Sequence, residues 1–247
     1  MENKLKKSKI VISCDKWLSK ILNKKTFRIN LLASNLKSND LEAAIIKRKN
    51  YYKDQKIFFY SKVLMHNISH NKVCIKNNFR LINKDLIFKK SNKFYKKNIS
   101  VKNIRIFKRD DKKFLLNIAK NNFVYSRFHQ DINISKYSAN YVKECWLNNF
   151  FLGRRGNDLI VATYNDKPIG FLLLLKVKKN IVIDLIAVNK KYSGKGYATS
   201  MIKYLERNYS YNNILVGTQM NNIASKKLYK KLNYQIYATL NIFHLHI

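Results

Sequence analysis

The chain has 247 residues, enough for one large or two small domains, and its 46% hydrophobic and 26% charged residues make a globular composition that excludes a disordered protein. Lys and Arg number 50 against 14 Asp and Glu, a formal charge of +36, which raises nucleic acid and anionic membrane surfaces as partners. The lysines run through every segment beside abundant Asn, Ile and Tyr instead of gathering in one selected patch. The balance therefore reads as compositional bias, and no nucleic-acid partner is expected.

No stretch approaches the roughly 20 apolar residues of a membrane span. The N terminus lacks the apolar core and cleavage site of a signal peptide. Cys14, Cys74 and Cys145 are far apart and odd in number, which argues against a disulfide framework or a zinc knuckle. A cytoplasmic setting follows as the expectation. The pairs His66/His70 and His244/His246 have ligand-like spacing, but no Cys or clustered carboxylate accompanies them in the sequence, so no metal is expected.

In chain order, the pattern predicts a strand over 27–32, a helix over 39–49 with Asp40 as its first-turn acid, a strand over 56–60, a helix ending near Asn77 and a strand within 77–90. That last segment echoes the C terminus: Asn78 matches Asn233, Phe79 matches Tyr234, Leu81 matches Ile236, Ile87 matches Ile242 and Phe88 matches Phe243. The echo predicts that residues 1–97 form a small α/β domain, a degenerate copy of the second domain, without a glycine loop. Residues 90–98 read as the linker.

The second domain, 98–247, reads as a strand over 104–107, a helix over 110–120, a loop over 124–131 and a helix over 136–151. Strands over 159–163 and 169–177 come next, joined by a turn at Asn165, Asp166 and Lys167. Gly153-Arg154-Arg155-Gly156 reads as a solvated loop. In the loop before the second helix, Arg127 offers a fork of donors for phosphate or carboxylate, and His129 could relay a proton or bond a sugar hydroxyl.

The stretch 181–207 organises the rest. Ile181, Val182, Ile183, Leu185, Ile186 and Val188 suit a buried central strand. Gly194 and Gly196 interrupt it, freeing the backbone to turn and its N–H groups to approach a phosphate. A helix with Met201, Ile202 and Leu205 on one face points its positive end at the same spot, so an anion such as a diphosphate is expected there. Downstream, Ile214, Leu215 and Val216 make a short strand, and Asn221 or Asn222 caps a helix over 223–232. Asn222, Ser225 or Lys226, and Tyr229 share one face of that helix.

Lys191-Tyr192-Ser193-Gly194-Lys195-Gly196 directly follows Leu185-Ile186-Ala187-Val188, and Asn222, Ala224 and Tyr229 stand at family spacing in the later helix. Together these resemble the GCN5-related N-acetyltransferases (GNAT); the family's usual Arg or Gln at the loop's first position is Lys191, which keeps a cation. The resemblance implies a mixed α/β acyl-CoA N-acyltransferase fold with splayed central strands and acetyl-CoA as co-substrate. It implies that the backbone of Ile186, Ala187 and Val188 pairs with the acyl arm, that the loop from Lys191 through Tyr192, Ser193, Gly194 and Lys195 to Gly196 holds the diphosphate, and that Asn222 contacts the pantetheine. Tyr229 would protonate the departing thiolate in a direct transfer. A phenol suits that task, since its ordinary pKa of about 10 lies above a thiol's, about 8.5.

Ser126-Arg127-Phe128-His129 and the run from Gly217 through Gln219 to Tyr229 further resemble the N-acetyltransferases of nucleotide-linked amino-dideoxy sugars, the dTDP-fucosamine N-acetyltransferases among them. That likeness implies a dTDP- or UDP-linked amino sugar as acceptor, Arg127 and His129 as its contacts, and a role in surface polysaccharide synthesis. The small N-terminal domain of those enzymes ends in a Gly-Phe strand, for which this chain has Asn78-Phe79. Asp184 and His129 both stand as candidates for the base. Two other readings stay open, a protein or peptide N-acetyltransferase and a non-enzymatic basic module, as does homodimerisation.

Overall fold

The structure, a computed structural model, describes residues 10–32, 36–91, 101 and 103–247. The first elements are β1 (Ile10–Cys14), α1 (Lys16–Leu22), β2 (Lys25–Leu31), α2 (Ser38–Tyr51), β3 (Ile57–Leu64), α3 (Ile68–Lys76) and β4 (Arg80–Ser91). After them come β5 (Ile104–Ile106), a single turn leading into α4 (Lys112–Asn121), α5 (Lys136–Phe151), β6 (Asp158–Tyr164), β7 (Lys167–Val177) and β8 (Asn180–Val188). The chain finishes with α6 (Tyr197–Asn208), β9 (Asn213–Gln219), α7 (Ile223–Lys231) and β10 (Gln235–His246). β1 and α1 are not among the elements expected from sequence. Their signals are the inward-alternating Ile10 and Ile12 and a cap, Asp15, whose carboxylate accepts from Leu18 N at 2.9 Å. The residues 92–98 of the expected linker lie outside the described residues, and Lys90 and Ser91 end β4.

The chain divides into two compact units, 1–85 with 130–133 and 239–247, and 86–129 with 134–238. Against the division at 97/98 expected from sequence, residues 86–91 thus belong with the second unit and 239–247 with the first. The physical reason for the latter is strand pairing: Leu240 to His246 run antiparallel to Leu64 to Phe58 of β3.

In the second unit, β5, β6, β7 and β8 form successive antiparallel pairs, and β9 joins β8 in parallel. Apolar side chains cover both faces of this sheet. One face packs Leu172, Ile181, Ile183 and Ile214 against Met201, Ile202 and Leu205 of α6; the other packs Phe171, Leu173, Leu185 and Ala187 against Leu115, Ile118 and Leu147 of α4 and α5. Strand β8 feeds both. In a regular strand Ile183 and Leu185 would share a face; here they do not. Leu173 pairs with Leu185 but Leu174 with Ile183, so Asp184 is an extra residue that rotates the rest of the strand by one position.

The first unit repeats part of this plan. β1 lies antiparallel to β2, β2 runs parallel to β3, and α2 connects the parallel pair, as α6 connects β8 and β9. Every residue of α3 and β4 has a counterpart 155 positions on, Ile68 in Ile223 and Ser91 in His246. Local geometry repeats too. Asn67 accepts from His70 N at 3.2 Å as Asn222 accepts from Ser225 N at 3.1 Å, and Phe79 N donates to Cys74 O at 3.1 Å as Tyr234 N donates to Tyr229 O at 2.9 Å. Asn78 and Asn233 take left-handed φ of 61° and 62°. Asparagine, which tolerates the left-handed region better than other residues with a Cβ, makes the turn in both places.

Candidate active site

The bulge at Asp184 is where the site begins. Parallel pairing of β8 with β9 runs from Asn180/Asn213 to Ile183/Val216 and ends there, while β8 continues to Val188. Residues 186–188 therefore turn one backbone edge to a cleft of about 480 Å³ that they line. A close approach of β7 fixes their other edge: a Cβ on Gly170 would sit 3.0 Å from Ala187 O.

The bulge is held from below. Arg155 donates from Nε and Nη2 to the two oxygens of Asp184 at 2.6 and 2.6 Å, and Trp146 Nε1 adds a bond at 2.8 Å. With both oxygens engaged by a bidentate guanidinium, Asp184 is a structural anchor and not a base. The Gly-Arg-Arg-Gly segment is accordingly more than a solvated loop.

Across the cleft opening stands the glycine loop. Gly194 and Gly196 have φ of 78° and 86°, and a Cβ on either would meet nothing within 4 Å, so in the free protein they supply conformation and not clearance. Gly196 starts α6 without a side-chain cap, and no acid lies in the first turn. Tyr197, Ala198 and Thr199 line the cleft, so the uncompensated positive end of the helix borders it, a setting that favours an anion. Tyr192, Ser193, Gly194 and Gly196 line the cleft; Lys191 and Lys195 do not, and the Lys195 ammonium lies 5.6 Å from the Tyr192 ring centroid.

The facing wall comes from α7. Asn222, which lines the cleft, uses its Oδ1 to cap the helix, accepting from Ser225 N at 3.1 Å. Tyr229 is 1% exposed, packed between Phe88 and Tyr234, with a hydroxyl that has no hydrogen-bond partner among the described residues and borders the cleft. Burial pushes its pKa above the ordinary phenol value, so it carries its proton throughout the neutral range.

The third wall is the segment from Asn122 to Ser126. Asn122 Oδ1 accepts from Lys190 N at 3.0 Å, tying the end of α4 to the loop after β8. Arg127 and His129 fall outside the cleft wall. The Arg127 guanidinium lies 4.4 Å from the Phe128 ring centroid. His129 is held at both ring nitrogens, Nδ1 by Ser126 Oγ at 2.6 Å and Nε2 by Asn140 Oδ1 at 2.9 Å. Ser126, Gln219 and Thr199, which carry no distinctive chemical signal of their own in the sequence, also line the cleft; Ser126 and Gln219 lie inside the runs that carry the family resemblance.

A second cluster lies in the first unit. His244 Nδ1 and His246 Nε2 both meet Asp131 Oδ2, at 2.6 and 2.7 Å. The expectation that no carboxylate accompanies these histidines is corrected: it arrives from a distant part of the chain. The three residues could hold a metal ion by position. Lys24 Nζ, however, lies 3.4 Å from His246 Nδ1. An ammonium can only donate, which leaves Nδ1 as acceptor and the proton on Nε2, aimed at Asp131. The group is a hydrogen-bonded knot fixing the chain at Asp131 onto β10. Among the described residues no helix is long and apolar enough to cross a membrane.

Residues 123–234, which include the strand β8, the glycine loop, α6 and α7, match the model of the acetyltransferase (GNAT) family. The chain carries a GNAT domain and is an N-acetyltransferase. It is 25% identical over 236 residues to the spore coat polysaccharide biosynthesis protein SpsD of Bacillus subtilis strain 168, covering 93% of this chain and 80% of that protein. Among solved structures, a conserved protein of Staphylococcus epidermidis superposes with a TM-score of 0.66 at 14% identity, covering 98% of this chain and 93% of its own. A GCN5-related N-acetyltransferase of Sphaerobacter thermophilus does so with 0.62 at 8% identity, covering 96% and 76%.

Proposed function

We propose that this chain transfers the acetyl group of acetyl-CoA to the amine of a nucleotide-linked amino-dideoxy sugar, by direct attack, in the synthesis of a surface polysaccharide. The observation that carries the reading is the cleft where β8 leaves β9, with an uncapped helix N terminus at one side and the Tyr229 hydroxyl at another. The likeness to SpsD, whose name places it in spore coat polysaccharide biosynthesis, supports the acceptor class.

Acetyl-CoA supplies the activated acetyl thioester; the chain's own groups do the rest. The first-turn N–H groups of α6 and the loop from Tyr192 to Gly196 hold the diphosphate. The free edge of Ile186, Ala187 and Val188 aligns the arm, and its N–H groups stabilise charge on the carbonyl oxygen as the amine attacks. Asn222 bonds the arm through Nδ2, and Tyr229 donates its proton to the sulfur as the C–S bond breaks. Arg127 and His129, set back from the wall, support the acceptor through the segment from Asn122 to Ser126.

We read the first unit as a copy that has lost this activity. Cys74 occupies the place of Tyr229, and burial pushes its thiol up to about 12. Asp40, in the first turn of α2, accepts from Lys37 N at 3.0 Å and places negative charge where a phosphate would need positive. The test is a thiol-release assay with dTDP- and UDP-linked amino-dideoxy sugars beside a lysine peptide, together with calorimetric titration of acetyl-CoA. Turnover of a sugar and one acetyl-CoA per chain support the reading; turnover of the peptide alone, or no acetyl-CoA binding, overturns it.

A further inference from the structure

The geometry points to Ser126 as a catalytic residue that accepts the proton of the acceptor amine and passes its own to His129, which Asn140 holds ready. This deepens the proposed reading of the cleft and rests on it.

The hydrogen-bond directions follow from the partners. Asn140 Oδ1, 2.9 Å from His129 Nε2, is an acceptor, so Nε2 carries the ring proton. Nδ1 is then an unprotonated acceptor, and its partner at 2.6 Å, the Ser126 hydroxyl, must donate to it. With its proton committed to His129, Ser126 offers only lone pairs to whatever lies in the cleft it lines. That suits the N–H of an attacking amine. The short turn is locked by the bond from His129 N to Ser126 O at 2.8 Å, which keeps the two side chains together.

The surroundings keep the imidazole neutral and able to accept. Burial lowers the His129 pKa below its ordinary value; the bond to Asn140 opposes this, and the charges of Lys143 and Lys136 lower it further. No carboxylate is among these influences.

The proton balance closes. As the amine nitrogen bonds to the carbonyl carbon, its proton moves to Ser126 Oγ while the serine proton moves to Nδ1, giving an imidazolium. As the C–S bond breaks, the thiolate takes the Tyr229 proton. The imidazolium then releases its proton to solvent, and the phenolate recovers one. Neither oxidant nor further reactant is needed.

The test has two parts. Nitrogen-15 NMR of the imidazoles of the free protein, in wild type and Ser126→Ala, reads tautomer and titration without any acceptor; His129 is expected neutral at pH 7 with its proton on Nε2, titrating below about 6.5. The kinetic part uses thiol release from acetyl-CoA with the amino-sugar panel. Ser126→Ala is expected to lose about 100-fold in kcat at pH 7, with unchanged acetyl-CoA affinity and a deficit that shrinks as pH rises. Ser126→Thr, which keeps the hydroxyl, is expected to recover most of the rate. A His129 proton on Nδ1, a His129 titrating above the ordinary value, an unchanged pH profile in Ser126→Ala, or an acetyl adduct on Ser126 after acetyl-CoA alone would each overturn the relay. Wild-type failure to bind acetyl-CoA would instead remove the proposed function beneath it.

Discussion

Replacing Tyr229 by Phe separates what the hydroxyl does for catalysis from what it does for folding. The ring fills a buried position between Phe88 and Tyr234, which Phe also fills, so packing is kept. The hydroxyl has no protein partner among the described residues, and burying an unsatisfied polar group costs about 1–3 kcal/mol. Because the group borders the cleft, water relieves part of that, and the variant is expected to gain about 0.5–1 kcal/mol, or about 1–4 °C in Tm for a chain of this length. Activity goes the other way: loss of a positioned acid is worth about 100-fold or more in kcat, with acetyl-CoA affinity unchanged. Thermal unfolding without ligand, beside thiol release under saturating acetyl-CoA, reads both. A variant that keeps its rate, or that unfolds several degrees below wild type, would show that the hydroxyl makes a structural bond and is not the acid.

Arg155→Ala should leave the carboxylate of Asp184, only 6% exposed at its side chain, with Trp146 as its remaining partner. The expected loss is about 2–3 kcal/mol in urea unfolding, below the full value for a buried pair because the arginine is itself 40% exposed. Acetyl-CoA affinity should fall with it as the bulge relaxes; unaltered affinity would detach the clamp from the site. Asp131 gives a pH signature. Burial would raise its pKa, but hydrogen bonds from His244 and His246 outweigh this and hold it well below the usual carboxylate range. Its stabilisation is thus present above the unfolded value of about 3.9 and is lost as pH falls below that. Tm measured between pH 7 and 3 should drop more steeply in wild type than in Asp131→Asn; parallel curves would refute the assignment. Gly194→Ala, at a φ of 78° with open space around it, should cost about 1 kcal/mol from backbone strain alone.

The strand, glycine loop and capped helix were legible in the sequence because each rests on local chemistry: β-branched runs, positive-φ glycines and an Asn cap. The repeat of the first unit was legible at Asn78 and Phe79 for the same reason. What the sequence hid is long-range. Nothing near Asp184 announces Arg155 or Trp146, and nothing near His244 announces Asp131, since each pairing depends on the chain closing over a large separation. The C-terminal strand is legible as a strand, but its partner β3 could not be inferred from pattern, which is why the unit boundary shifted. Ser126 shows a subtler limit. Its neighbours Arg127 and His129 draw attention by chemical type, while the residue that lines the cleft is an ordinary serine made useful by what stands behind it.

The most direct test of the central claim is the shift in Tm on adding acetyl-CoA, for wild type and for Gly196→Glu, which forces a side chain into a φ of 86° and puts a carboxylate at the open end of α6. At about 100 times the dissociation constant, ligand binding contributes about 2.7 kcal/mol, which corresponds to a rise of about 5–10 °C for a chain of this length. Wild type is expected to show that rise and the variant to lose it. An unshifted wild type, or a variant stabilised equally, would contradict the assignment of the cleft between β8 and α6 as the acetyl-CoA site.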